Sequence, residues 1–436
     1  MKLVVIGGGA AGMSAASKAK RENSKIEVTV IESGNFVSYA QCGIPYYLSG
    51  VVENHEKLIH YPLSEFVEKR NIDVKTGKSV EKVDFREKKV ILKDGEKISY
   101  DILVIATGAS PKKNKFNGMK NTFFVRSLDG AIEIRKQLHG NRIAIAGDGV
   151  LGMELAAELS SHGKNVTMHS KHDSLFPVVD SRVTEGMIDS FKKRVNVKLN
   201  STVENIAEKD GSLMVSDSTG SVQNYDHIIF ATGITPNTGF LKGSELELDA
   251  SGLIAVDDGM RTSNENVYSA GDCATSFNRI TGKPEWHPLA QVANKMGRVA
   301  GSNIAGKIMH YKGALGSTLV KIFEYEVGFT GLTVEKAKKN GFNPKEIFIK
   351  GSSRANYYPG GSPMRLLMVY DQDTGRILGA QISSKDGGAW RLNTLETAIY
   401  SGMDMETLFY NDLGYTPPFS QVWDPIITGA SLSMRD

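Results

Sequence analysis

The sequence predicts an α/β chain built on two copies of one strand, glycine loop and helix unit and closed by an α+β lobe. Three observations predict it. The unit occurs at residues 2–20, it recurs at residues 141–161, and after Gly313 the texture changes to alternating strand segments joined by a hairpin signature. At 436 residues the chain is too long for one ordinary domain and long enough for about three. Its 40% hydrophobic content fills their cores.

Lys2-Leu3-Val4-Val5-Ile6 reads as a buried parallel strand, and Gly7-Gly8-Gly9-Ala10-Ala11-Gly12 leads from it into a helical stretch over residues 13–20. Gly7 permits the tight turn, Gly9 lets a pyrophosphate approach the backbone, and Gly12 allows close helix-to-strand packing. The helix N-terminus then faces the phosphates. Glu32 ends the next strand, residues 26–31, about 20 residues on, where a carboxylate accepts hydrogen bonds from a ribose diol. These are the marks of a Rossmann-like dinucleotide-binding domain.

The unit then repeats. Residues 141–146 form a second strand, and Gly147-Asp148-Gly149-Val150-Leu151-Gly152 opens a helix over residues 153–161. The strand Asn165-Val166-Thr167-Met168-His169 can be laid on Val28-Thr29-Val30-Ile31-Glu32, which puts Ser170 on or beside the position of Glu32. On this reading the second site lacks a ribose-binding acid. Lys171 and His172 follow, and a cation without a carboxylate suits a ribose 2′-phosphate, so the second site leans towards NADPH over NADH. The alternative is that Lys171 and His172 are solvated loop residues. Residues 100–108 and 225–233 share one form, a strand entering a small-residue turn at Thr107-Gly108 and Thr232-Gly233. Asn266-Val267-Tyr268-Ser269-Ala270-Gly271-Asp272 is a short strand ending in an acid, placed to hold the ribityl or pyrophosphate part of a flavin nucleotide.

Cys42 lies about 30 residues past the first glycine loop, within a flavin ring's reach, in the run Val37-Ser38-Tyr39-Ala40-Gln41-Cys42-Gly43-Ile44-Pro45. It has no neighbouring cysteine, so a reactive thiol here must find its partner on a small molecule. The turn after it reads as a helix start, where backbone N–H groups favour a thiolate. The second cysteine, Cys273, reads as a small buried thiol.

Taken together, the chain resembles the flavoprotein disulfide reductases with two dinucleotide folds over nearly its full length. The resemblance implies FAD on the first glycine loop and the Gly271-Asp272 motif, and NAD(P)H on the second loop. Position 47, five after Cys42, is Tyr, which excludes the branch with a Cys-x-x-x-x-Cys pair. Among single-cysteine branches, the peroxidases and oxidases would want a histidine in the first loop, where this chain has Ala10 and Ala11. The runs Ala355-Asn356-Tyr357-Tyr358-Pro359-Gly360 and Leu413-Gly414-Tyr415-Thr416-Pro417-Pro418-Phe419 look like the two tyrosine motifs of the coenzyme A disulfide reductase branch. That likeness implies NAD(P)H-driven reduction of coenzyme A disulfide through a mixed disulfide on Cys42. It further implies a homodimer in which Tyr357 and Tyr415 reach the partner's site, Tyr415 protonating the departing thiolate. The alternatives are an NAD(P)H oxidase, a sulfur or polysulfide reductase, and, in another class, a flavin redox sensor or electron-transfer partner.

The boundaries implied are a split FAD domain at residues 1–110 and 238–312, an NAD(P)H domain at 111–237 and a dimerisation domain at 313–436. A net charge of +3 with dispersed basic residues implies neither nucleic acid nor a membrane surface as partner. Coenzyme A is an anion, however, and Lys18 and Arg21 on the first helix, with Arg70, could meet its phosphates unless they form a solvated face. Ser38, in the run that holds Cys42, is a further substrate-binding candidate. No metal is expected. No apolar run of membrane-spanning length occurs, and the first strand begins at residue 2, so a cytoplasmic protein is expected.

Overall fold

The computed structural model describes residues 1–209 and 211–434. The first lobe is a five-stranded parallel sheet in the order Val267–Ser269, Ile102–Ile105, Lys2–Ile6, Glu27–Ile31 and Asp73–Lys75. Leu3, Val5, Val30, Leu103 and Val104 are fully buried in it, as a parallel sheet covered on both faces requires. Helix Ala10–Glu22 covers one face and lies against helix Ala290–Ile304. Their backbones meet at two glycines one turn apart. A Cβ at Gly297 would stand 2.2 Å from the Ala11 carbonyl oxygen, and one at Gly301 2.3 Å from that of Ala15.

The second lobe repeats the plan with a parallel sheet in the order Asn196–Lys198, Asn165–His169, Arg142–Ala146, His227–Phe230 and Thr122–Phe124. Each lobe also carries a three-stranded antiparallel sheet that the sequence reading did not include. These are Val80–Asp84, Lys89–Leu92 and Lys97–Ser99 in the first, and Val203–Lys209, Ser212–Asp217 and Val222–Tyr225 in the second. The chain leaves and re-enters the first lobe through the antiparallel strands Ala109–Pro111 and Ile234–Pro236. Beside them the Thr107 hydroxyl donates to the Asn237 carbonyl at 2.8 Å, and the Asn237 amide donates to the Thr107 carbonyl at 2.9 Å.

Strand pairing corrects the register expected between the two lobes. The central strands pair Ile6 with Ile31 and Ala146 with His169, so His169 takes the place of Ile31 and not of Glu32. Ser170 then falls on Glu32 itself. Both amides bond to the third strand, Glu32 to the Lys75 carbonyl and Ser170 to that of Lys198, each at 2.9 Å. A strand's own alternation lets it slide against its counterpart, whereas pairing with the central strand removes that freedom.

The last lobe is a five-stranded antiparallel sheet, Thr318–Ile322, Tyr325–Gly331, Ile377–Ser384, Pro363–Asp371 and Pro344–Ser352, backed by helices Gly388–Ser401 and Pro425–Ser433. The expected hairpin joins Asp371 to Ile377, closed by the Asp371 amide on the Arg376 carbonyl at 2.8 Å. No helix among the described residues is long and apolar enough to cross a membrane.

Candidate active site

The two glycine loops have one construction. Gly7 and Gly147 have φ of +109° and +113°, and an added Cβ would stand 2.2 Å from the Ala106 carbonyl oxygen or 2.4 Å from that of Ala231. At Gly12 and Gly152 a Cβ would strike the carbonyl of the loop's first glycine at 1.8 and 2.0 Å. The middle glycines differ. Neither Gly9 nor Gly149 has any atom within 4 Å of an added Cβ, so each loop keeps one backbone face open, the cradle that a pyrophosphate fills. Ala10–Gly12 and Val150–Gly152 form the first helical turn behind each cradle.

Around the first cradle, one oxygen of Glu32 accepts the Gly8 amide and the other the Gly34 amide, both at 2.7 Å. Gly271 has φ of +85°, and an added Cβ would lie 2.8 Å from the Ala11 Cβ, so Asp272 is held beside the loop. Arg126 reaches Asp272 at 2.6 Å and donates to the Ala109 carbonyl at 2.8 Å. Around the second cradle, Ser170 is fully buried and donates to a carboxylate oxygen of Asp148 at 2.8 Å. His172 Nδ1 lies 3.1 Å from the other oxygen, while Lys171 is exposed. The strand end carries no acid, as expected, but the site is not without a carboxylate. The acid stands in the glycine loop, where a search at the strand end does not look.

Cys42 occupies the single turn Gln41–Gly43 ahead of helix Ile44–Ser49 and is exposed. Ser38, with φ of +51°, ties this segment to the first glycine loop through its amide on the Gly8 carbonyl at 3.0 Å. Desolvation beside the protein wall, followed by repulsion from Glu154, pushes the Cys42 thiol pKa up, while Arg126 pulls it back. Desolvation, with the Glu154 charge second, outweighs the backbone stabilisation of a thiolate expected from a helix start. Cys273 is no partner for it. That sulfur is fully buried, 3.5 Å from the Ile105 carbonyl and 3.6 Å from the Ser269 hydroxyl.

Glu154 and Tyr46 are site residues that the sequence reading missed. Glu154 projects from the helix behind the second cradle, Val150–Ser161, and its carboxylate accepts the Tyr46 hydroxyl at 2.8 Å, joining that helix to the one after Cys42. Burial raises the Glu154 pKa, with the Glu158 charge adding to it. Burial and then Glu154 also push the Tyr46 phenol up. Two acids four residues apart, Glu154 and Glu158, in a largely apolar helix are the available signal.

Tyr357 and Tyr415 lie on separate loops of the last lobe, yet their hydroxyls are 3.1 Å apart. Both are exposed, and no hydrogen bond among the described residues links either to Cys42. Their loops are fastened together by the Ala355 amide on the Pro417 carbonyl at 3.2 Å and the Gln421 amide on Asn356 at 2.9 Å. Beneath them the fully buried Arg391 pairs with Asp424 at 2.7 Å and donates to the Ser353 and Phe419 carbonyls, at 3.2 and 3.3 Å. Donating its hydrogen bond to Tyr357 raises the Tyr415 pKa and so keeps its proton in place. Among the basic candidates, Lys18 is paired with Glu22, Arg70 holds Ser17 at 3.0 Å and Glu65 at 3.2 Å, and Arg21 is exposed.

Residues 1–297 match the family described as pyridine nucleotide-disulphide oxidoreductase, and residues 317–425 match that family's dimerisation domain. The chain belongs to the pyridine nucleotide-disulphide oxidoreductases. It is 40% identical over 432 residues to the NAD(P)H sulfur oxidoreductase (CoA-dependent) of Pyrococcus abyssi, covering 98% of this chain and 96% of that one. To the coenzyme A disulfide reductase of Staphylococcus aureus it is 30% identical over 435 residues, 98% of each chain. Among solved structures, an NAD-dependent persulfide reductase from A. fulgidus superposes with a TM-score of 0.94 at 32% identity, over 100% of this chain and 83% of that one. Membership of this oxidoreductase family makes the chain an FAD- and NAD(P)H-dependent flavoprotein with the lobe through which such subunits pair. The two open glycine cradles, each with a carboxylate beside it, fit those two nucleotides.

Proposed function

We propose that this flavoprotein reduces the S–S bond of a coenzyme A disulfide at the expense of NAD(P)H, with Cys42 as the sole redox-active sulfur of the chain. One observation carries the reading: Cys42 is exposed while the only other cysteine is fully buried, so the sulfur that pairs with Cys42 must be brought by the substrate. The first cradle with Glu32 and Asp272 holds FAD, and the second holds the nicotinamide nucleotide. When bound, the flavin accepts a hydride from NAD(P)H and passes two electrons on to sulfur. Cys42 as thiolate attacks one sulfur of coenzyme A disulfide, forming a Cys42–coenzyme A disulfide and releasing the first coenzyme A thiolate. Tyr415 of the opposite subunit, oriented by Tyr357, supplies its proton. Two electrons then break the mixed disulfide, releasing the second thiol and restoring Cys42. The sum is one NAD(P)H and one proton consumed for two thiols formed.

A second reading is favoured by the higher identity to the Pyrococcus enzyme. Here the substrate is a coenzyme A persulfide, from which the same two electrons yield one coenzyme A thiol and hydrogen sulfide, or a coenzyme A polysulfide, from which they yield the thiol and a polysulfide one sulfur shorter. Both readings predict that the isolated oxidised chain carries a thiol adduct on Cys42. Intact mass before and after a dithiol tests this: a loss equal to coenzyme A supports the assignment, and a loss of a single oxygen, marking Cys42 as a sulfenic acid, overturns it in favour of an oxidase or peroxidase. Product counting separates the two readings, since only the persulfide reaction releases hydrogen sulfide.

A further inference from the structure

We infer that Asp148 is the ribose-recognition acid of the nicotinamide site, and that it makes the enzyme prefer NADH to NADPH. The two lobes place the same pair of positions side by side. Gly7 bonds to the Ile31 carbonyl and Gly147 to the His169 carbonyl, at 2.8 and 3.0 Å, so the residues that follow, Gly8 with Glu32 and Asp148 with Ser170, are counterparts. In the first lobe the loop position has no side chain and Glu32 reaches across to the Gly8 amide at 2.7 Å. In the second lobe the strand-end residue is the short one, and the carboxylate of Asp148 reaches the other way to the Ser170 hydroxyl at 2.8 Å. A carboxylate therefore stands in the gap between loop and strand end in both lobes, arriving from opposite sides.

The chemistry of that gap decides the nucleotide. A vicinal ribose diol donates hydrogen bonds to a carboxylate, whereas a 2′-phosphate brings a second negative charge to it. The Asp148 side chain is 5% exposed, so solvent does little to screen the repulsion. His172 is turned towards Asp148 and away from a phosphate at this position. Its Nδ1 is committed to Asp148, 3.1 and 3.2 Å from the two oxygens, and its amide bonds to Ser170 at 3.1 Å. The NADPH preference expected from Lys171 and His172 is thus replaced by its opposite.

This inference concerns the nucleotide site alone and is independent of which sulfur compound is reduced. Its test uses the flavin-loaded enzyme and two non-reacting probes, ADP-ribose and 2′-phospho-ADP-ribose, with affinities measured by calorimetry. The native enzyme is expected to bind ADP-ribose about tenfold or more tightly than the phosphorylated probe, a difference of ~1.4 kcal/mol. Asp148→Gly should erase that ratio, and the double variant Asp148→Gly with Ser170→Glu, which moves the acid to its first-lobe position, should restore it. Asp148→Asn keeps the side chain's shape without its charge and carries the same expectation should the glycine variant fail to fold. Tighter binding of the phosphorylated probe by the native enzyme, or a ratio unchanged in Asp148→Gly and Asp148→Asn, would overturn the assignment.

Discussion

Cys42, the proposed nucleophile, lies in surroundings that oppose its charge. Desolvation and the nearby Glu154 carboxylate raise its pKa, so the protein disfavours the thiolate relative to a free cysteine. In the reduced enzyme, alkylation of Cys42 by iodoacetamide should accordingly accelerate with pH through an inflection above that of an ordinary cysteine. Glu154→Gln removes a negative charge, so it must shift that inflection downwards and speed labelling at pH 7. An inflection unmoved by this change would remove Glu154 from the electrostatics of the site. Cys273 does not complicate the measurement, since it is fully buried. In Cys42→Ser the residues around the FAD cradle are untouched. That variant should stay yellow and still reduce artificial dyes with NAD(P)H, while disulfide turnover disappears. Disulfide reduction retained in it would sink the mechanism.

At the level of elements, the two tyrosines act as one unit because buried Arg391 fastens both of their loops. Arg391→Lys keeps a positive charge for Asp424, but one ammonium cannot also serve the Ser353 and Phe419 carbonyls, and unpaired buried acceptors cost about 1–3 kcal/mol each. We expect a lower unfolding midpoint and slower disulfide turnover, with flavin reduction by NAD(P)H in rapid mixing unchanged. A parallel loss of flavin reduction would mean that Arg391 supports the whole fold and not this pair of loops. The contrast between Arg391 and Gly12 explains what could be read in advance. The glycine loops, their strands and the hairpin before Ile377 are local, so their residues announce them within a few positions. Arg391 with Asp424 and Tyr46 with Glu154 are separated by 33 and 108 positions, and nothing local marks either pair. Asp148 is the instructive intermediate case. It was in plain view as the spacer of the second glycine loop, but its role depends on which residue faces it across the sheet, and that register was one residue out.

The whole molecule is expected to function as a pair. The last lobe matches the family's dimerisation domain and carries an exposed aromatic surface that includes Tyr357, Tyr415, Phe419 and Trp423. With Tyr415 acting on the partner's Cys42, Tyr415→Phe should slow disulfide reduction by about 10²-fold or more while flavin reduction stays near normal. Mixing Cys42→Ser chains with Tyr415→Phe chains and allowing exchange should recover activity, because one of the two sites in each mixed dimer has both residues intact. Full exchange without recovery would place Tyr415 outside the partner's site. The paired lobes within each chain also bear on how such a protein could have diversified. Gly8 with Glu32 and Asp148 with Ser170 differ by two substitutions, and the two intermediate forms are not equivalent. A side chain at the Gly8 position would begin 2.5 Å from Val37 and 3.2 Å from the Glu32 carboxylate, so in that setting a form with both acids is crowded as well as doubly charged. The open route runs through a loop with neither acid, which discriminates poorly between the two nicotinamide nucleotides.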